Sequence, residues 1–194
     1  IGEVLTSSLA AYAFARLRFP GREPLFLMYL ATLMIPGQVT IIPNFILMRY
    51  LGWVNTYQGL IIPTAFTALG TFLLRQYFLS IPRELEEAAR VDGASYFQIW
   101  SRIIMPLASP AIATLAVFSF MGAWNSFLWP FIMVSSPEMR TLTVALRSFQ
   151  TEYGTEWGLM MAGSVIAMLP MLVIFLAAQR YFVRGIATTG FGGR

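Results

Sequence analysis

Three side chains are missing from this 194-residue sequence: it contains no cysteine, no histidine and no lysine. Without cysteine there is no disulfide and no thiolate metal site. Without histidine the usual metal ligand and the usual base at neutral pH are gone. Without lysine there is no phosphate-binding P-loop, whose lysine reaches the nucleotide phosphates, and no Schiff base. Aspartate is nearly absent too, with Asp92 the single example. No nucleophile–base pair or metal set can be assembled from what remains. Any ATP that drives this protein is hydrolysed by another chain.

Charge is also scarce. Charged residues make up 11% of the chain and hydrophobic ones 57%, against about a quarter and about a half in soluble domains. A soluble core of this size has no use for that much apolar surface. Five apolar runs account for it: 5–17, 25–48, 59–79, 107–134 and 159–179. A spanning helix needs about 20 apolar residues, so the last four qualify, and the first is shortened. The sequence opens at Ile1 inside that run, which predicts a chain lacking an N-terminal span.

The net charge of +4 comes from 13 arginines against 9 acidic residues. They are spread along the chain and flank the spans, so nucleic acid is not an expected partner. Arg16, Arg18, Arg22, Arg75, Arg83, Arg90, Arg102, Arg180, Arg184 and Arg194 fall on one side, and Arg49, Arg140 and Arg147 on the other. The positive-inside rule puts the first group in the cytoplasm. Trp53, Tyr57, Trp129, Tyr153 and Trp157 then lie near the outer boundary, as an aromatic belt would. The largest external loop is 135–157, and it carries Glu138, Glu152 and Glu156.

Prolines interrupt the spans at Pro36, Pro43, Pro110, Pro130 and Pro170. Most need only kink a helix for packing. Ile35-Pro36-Gly37-Gln38 adds a glycine and an amide at mid-span, where a true break is expected; broken helices in a bilayer line cavities or find other partners. Ser7, Ala11 and Ala15 recur every four residues, a spacing that suits close helix packing.

One charged island stands between these runs, Arg83 to Pro106. Pro82 and Ser80 predict a helix start, with Glu84, Glu86 and Glu87 at its positive end. Glu86 and Arg90 have the spacing of a helical ion pair. Gly93 predicts a left-handed helix end. Ser95-Tyr96-Phe97-Gln98 matches a capping box and opens a second helix with Phe97, Trp100, Ile103 and Ile104. The clustered glutamates argue against burial in an anionic membrane surface and for a protein groove; a solvated loop is the alternative.

The spacing Glu87-Ala88-Ala89, Gly93, Ile103, Met105-Pro106 resembles the EAA signature of ABC importer permeases, with Met105 where the family usually has leucine. The runs 10–16, 18–22 and 179–185, with Ile35-Pro36, Ile42-Pro43, Ile81-Pro82 and Trp124-Asn125, are similar to the carbohydrate-uptake, maltose-type branch and within it to the smaller permease. The resemblance implies an all-α integral membrane protein, a polytopic helical bundle of the type I importer kind. It would be one permease domain over 1–194 with five spans of six and the coupling segment at 80–106. It implies a multi-pass place in a bacterial or archaeal inner membrane. The implied partners are a second permease, paired ATPase subunits that bind ATP and Mg, an extracytoplasmic sugar-binding protein, the sugar and membrane lipid.

The resemblance further implies that Glu84, Glu87, Ala88, Ala89, Asp92, Gly93, Ile103 and Pro106 couple to an ATPase, with Glu87 the polar anchor and no cofactor in this chain. The glycine-rich end, 190–194, would approach the ATPases. Gln38, Asn44, Trp124, Asn125 and Ser126 are candidates for the solute pathway on side-chain chemistry, helix–helix hydrogen bonding being the alternative. Two other readings stay open: an importer of a non-sugar solute, and an ion-coupled transporter. The second would need intramembrane acids, which the spans lack apart from Glu3.

Overall fold

The computed structural model describes residues 1–151 and 154–189, with side chains to Ala177 in the last helix. The chain is helical nearly throughout. The α-helices are α1 (Gly2–Arg16), α2 (Arg22–Ala31), α3 (Gly37–Tyr50), α4 (Tyr57–Ile61), α5 (Ala68–Ser80) and α6 (Glu84–Val91). They continue with α7 (Tyr96–Ile99), α8 (Met105–Leu107), α9 (Ser109–Trp124), α10 (Leu128–Met133), α11 (Leu142–Leu146) and α12 (Trp157–Thr189). Short 3-10 turns follow α2, α4 and α11, and a π-helical turn, Trp100–Ile104, joins α7 to α8.

The apolar runs are not simple rods. The break expected at Ile35-Pro36 is present: helix stops at Met34 and resumes at Gly37. Proline lacks the N–H a helix needs and disfavours helical backbone in the residue before it. Pro43 and Pro170, by contrast, sit inside continuous helices. Breaks between Thr64 and Ala68 and between Trp124 and Leu128 divide two further runs. Among the described residues one helix, Trp157–Ala177, is long and apolar enough to cross a membrane alone; counting each of three sharply bent helix pairs as one span (Arg22–Met34 with Gly37–Tyr50, Tyr57–Thr64 with Ala68–Ser80, and Tyr96–Leu107 with Ser109–Trp124) gives up to four.

The residues form two compact units. One comprises Ile1–Pro36 and Thr64–Ala116, the other Gly37–Pro63 and Val117–Ile186. In the first, α1 lies along α5. Ser7, Ala11 and Ala15 are buried at that seam, as their four-residue spacing predicts. Gly70 completes it: a Cβ there would stand 2.7 Å from Ser7 Oγ and 2.8 Å from Thr67 Cγ2. Small residues let the backbones approach, and the gain is dispersion contact along the seam. The core continues through Leu74, Phe78, Ile81, Ile99, Trp100, Ile104 and Leu115.

In the second unit Met48, Met133 and Val134 pack with Trp53 and Trp129. The Trp129 indole donates to the Gly59 carbonyl (3.2 Å). Asn55 takes a left-handed backbone, φ 57°, which asparagine tolerates better than most residues. Its Oδ1 accepts from the Ser135 and Ser136 amides, both at 3.1 Å, and ties the end of α3 to the end of α10. Within the expected external loop lie α11 and an antiparallel pairing of Gln150 with Thr155. Glu152, Tyr153 and the glycine-rich end fall outside the described residues.

Candidate coupling site

The charged island folds as two short helices set against the α1–α5 pair. Ser80 does not start α6. It ends α5, its hydroxyl donating to the Tyr77 carbonyl one turn back (2.7 Å), and Arg83 takes the N-cap position. Glu84, Glu86 and Glu87 occupy the first turn, where unsatisfied amides favour negative charge.

The end of α6 follows the sequence expectation in detail. Gly93 has φ 82°. The Ala94 amide donates to Ala89 O (2.9 Å) and the Gly93 amide to Arg90 O (3.0 Å), the paired bonds of a Schellman cap. Any side chain at residue 93 would meet backbone strain rather than crowding. Two residues on, Ser95 Oγ accepts from the Gln98 amide (3.3 Å), and the Gln98 side chain accepts from the Ser95 amide (2.8 Å). That is the expected capping box, and it fixes the start of α7 directly after the turn.

The second helix departs from its expected role. Ile99 and Ile104 are fully buried and Trp100 nearly so, while Phe97 remains exposed against the Trp100 ring at 5.2 Å. The π-turn at Trp100–Ile104 carries one extra residue per turn and rotates the side chains after it, so residues five apart both reach the core. Ile103 is half-buried and Pro106 exposed.

Glu84, Glu87, Ala88, Asp92 and Gly93 are exposed on one ridge, and Ala89 is half-buried against the core of the first unit. A small residue at 89 lets α6 sit close. Glu87 borders a cleft of about 360 Å³ with Arg18, Arg83, Arg90 and Tyr96. Arg90 lies over the Tyr96 ring, 5.1 Å from its centre, and does not form the expected ion pair with Glu86.

Glu86 turns inward to Arg16. Nε and Oε1 are 2.9 Å apart, with side chains 3% and 13% exposed; the separation is that of an ion pair, although neither of these two atoms has an aligned hydrogen bond. Arg16 also donates through Nη2 to the Phe78 and Ile81 carbonyls. Burial pushes the Glu86 carboxyl above the usual carboxylate range, and the nearby Arg16 and Arg83 charges only partly offset it. The sequence marked Arg16 only as a span-flanking charge. The available signal was that Glu86 shares a helix face with Ala89, three residues on.

The solute-pathway candidates all lie in the second unit. Gln38, Asn44 and Asn125 are exposed and Trp124 and Ser126 half-buried. The Trp124 indole donates to the Ala167 carbonyl of α12 (2.9 Å), Asn125 donates back to Met121 O (2.9 Å), and the Ser126 carbonyl accepts from Thr143 (2.7 Å). Trp124 therefore spends its N–H on a second helix and Asn125 one N–H on the preceding turn of its own, while Gln38 and Asn44 carry exposed amides.

With this geometry in place, likeness to known proteins is informative. The family model described as binding-protein-dependent transport system inner membrane component matches residues 4–188. The chain is 39% identical over 190 residues to the arabinooligosaccharides transport system permease protein AraQ of Halalkalibacterium halodurans, covering 98% of this chain and 68% of that one. It is 38% identical over 191 residues to the sn-glycerol-3-phosphate transport system permease protein UgpE of Rhizobium meliloti, covering 97% and 68%. A crystal structure of a bacterial ABC transporter involved in the import of the acidic polysaccharide alginate superposes with a TM-score of 0.80 at 29% identity, over 93% of this chain and 70% of that one. The chain belongs to the binding-protein-dependent transport system inner membrane component family, the permeases of ABC importers. These relatives are transport subunits of the inner membrane and not enzymes.

Proposed function

We propose that this chain is one permease of an ATP-driven sugar importer and that residues 80–106 couple it to a cytoplasmic ATPase. The observation that carries the reading is the ridge of α6: exposed Glu84, Glu87 and Asp92 beside Ala88, closed at its C-terminal end by a Schellman cap that runs into the capping box of α7, and backed by the core of the first unit. A solvated loop has no need of a Schellman cap followed directly by a capping box. Glu87 is the anchor for an arginine of the ATPase, a charge-assisted contact. Ala88 allows close approach, Asp92 adds a second polar contact, and Gly93 sets the turn. Ile103 and Pro106 lead the movement into the next span.

In this reading five spans of this chain join those of a second permease, and the arginine-rich side faces the cytoplasm. ATP and a loaded extracytoplasmic binding protein both favour the outward-open state, so each strengthens the effect of the other. Gln38 and Asn44, with their exposed amides, are the stronger candidates for lining the pathway. The sugar assignment follows the arabinooligosaccharide and alginate relatives. A phosphate ester is the second reading, favoured by the comparable identity to the glycerol-3-phosphate permease.

The test is solute-stimulated ATP hydrolysis by the reconstituted complex, with neutral oligosaccharides and glycerol phosphate as competing solutes. Glu87→Ala and Gly93→Pro are expected to abolish stimulation and weaken ATPase co-purification while the permease pair stays assembled. Wild-type stimulation in both variants would remove the coupling assignment.

A further inference from the structure

Almost all of α6 faces solvent. None of its residues is fully buried, and two side chains turn toward the rest of the first unit: Ala89 by packing and Glu86 by charge. Glu86 meets an arginine that is already committed elsewhere. Arg16 ends α1, and its guanidinium reaches the Phe78 and Ile81 carbonyls at the end of α5. Those carbonyls belong to the negative end of α5, where a cation is favoured. One side chain therefore touches three elements: the end of α1, the end of α5 and the first turn of α6. Below it α1 and α5 lie together along the small-residue seam at Ser7, Ala11, Ala15 and Gly70.

We propose that Arg16 and Glu86 form the joint that passes movement of the coupling helix to the α1–α5 pair, both acting as positioning residues for transport. The inference rests on the coupling role proposed above for residues 80–106. It adds how displacement of the exposed ridge becomes displacement of membrane helices. The link from α5 to α6 is three non-helical residues, Ile81 to Arg83, and such a short joint does not by itself fix the direction of α6. The ion pair removes that freedom, because Arg16 is fixed by two carbonyls before it meets Glu86. A pair buried this way contributes little net stability, since desolvation offsets attraction, yet it fixes one geometry.

The prediction is uncoupling without disassembly. In proteoliposomes holding the two permeases, the ATPase and the binding protein, Glu86→Gln and Arg16→Lys should retain co-purified ATPase and ATP hydrolysis stimulated by the loaded binding protein. Solute carried per ATP hydrolysed should fall about tenfold, within the usual range of coupling between sites. Glu87→Ala, measured alongside, should lose the ATPase contact itself. If Glu86→Gln does not assemble, Arg16→Lys carries the test, since it keeps the charge and withdraws only the planar fork from the α5 carbonyls. A wild-type ratio in an assembled variant overturns the joint and leaves the coupling role standing, provided Glu87→Ala is defective. Loss of assembly in both variants also overturns it, in favour of a pair that only holds the fold. Wild-type behaviour in all three variants sinks the coupling role as well.

Discussion

At the scale of the residue, the chemistry of this chain is concentrated in Glu86 and Glu87, adjacent in sequence and opposite in fate. Helical geometry turns them about 100° apart, so one enters the protein and the other faces out. Burial, opposed by Arg16 and Arg83 and reinforced by Glu87, raises the Glu86 carboxyl above its unfolded value. A carboxyl raised on folding contributes stability that is present below the ordinary glutamate range and fades as pH climbs through the raised folded value. The purified complex should therefore lose some thermal stability as pH rises above the ordinary glutamate range. Glu86→Gln should flatten that portion of the profile. The check is thermal unfolding across that pH window for both proteins; an unchanged slope in the variant would assign the dependence to another group.

At the scale of the element, the close seam between α1 and α5 is the feature most sensitive to substitution. Gly70→Val would set a branched side chain against Ser7, Thr67 and Leu115, the last 3.1 Å from the added Cβ. Overpacking of this kind costs about 1–3 kcal/mol, so the variant should unfold at lower denaturant concentration than Gly70→Ala. The caps at Gly93 and Ser95 call for a milder change. Ser95→Ala removes one half of the capping box and should cost about 1 kcal/mol. The loss should appear as faster amide exchange through α7, with α1 and α5 unchanged.

At the scale of the whole molecule, the proposed function is shared with other chains. With no lysine there is no P-loop, so the chain purified alone should hydrolyse no ATP, and hydrolysis should appear only when an ATPase subunit is added. A colorimetric phosphate assay on the separate and mixed components decides it. Family membership sets the setting, an inner membrane component of a binding-protein-dependent system.

Much of this was legible in the sequence because it depends on local chemistry. The apolar runs and the four-residue spacing of Ser7, Ala11 and Ala15 are patterns along the chain, while the helix end at Gly93, the capping box at Ser95 and Gln98 and the break at Pro36 are consequences of residues within a turn or two of each other. Their energies are set by backbone conformation and nearest neighbours. What only tertiary structure decided involves residues far apart in the chain. Arg16 and Glu86 meet across 70 positions, Trp124 finds Ala167, and Asn55 finds Ser135 and Ser136. The pair with Arg90 favoured by local spacing lost to Arg16, because a charge turned into the interior takes whatever opposite charge the packing delivers there. The π-turn that buries both Ile99 and Ile104 has the same origin: local propensity prefers the regular helix, and it yields where packing against α1 and α5 offers more apolar burial than one irregular turn costs.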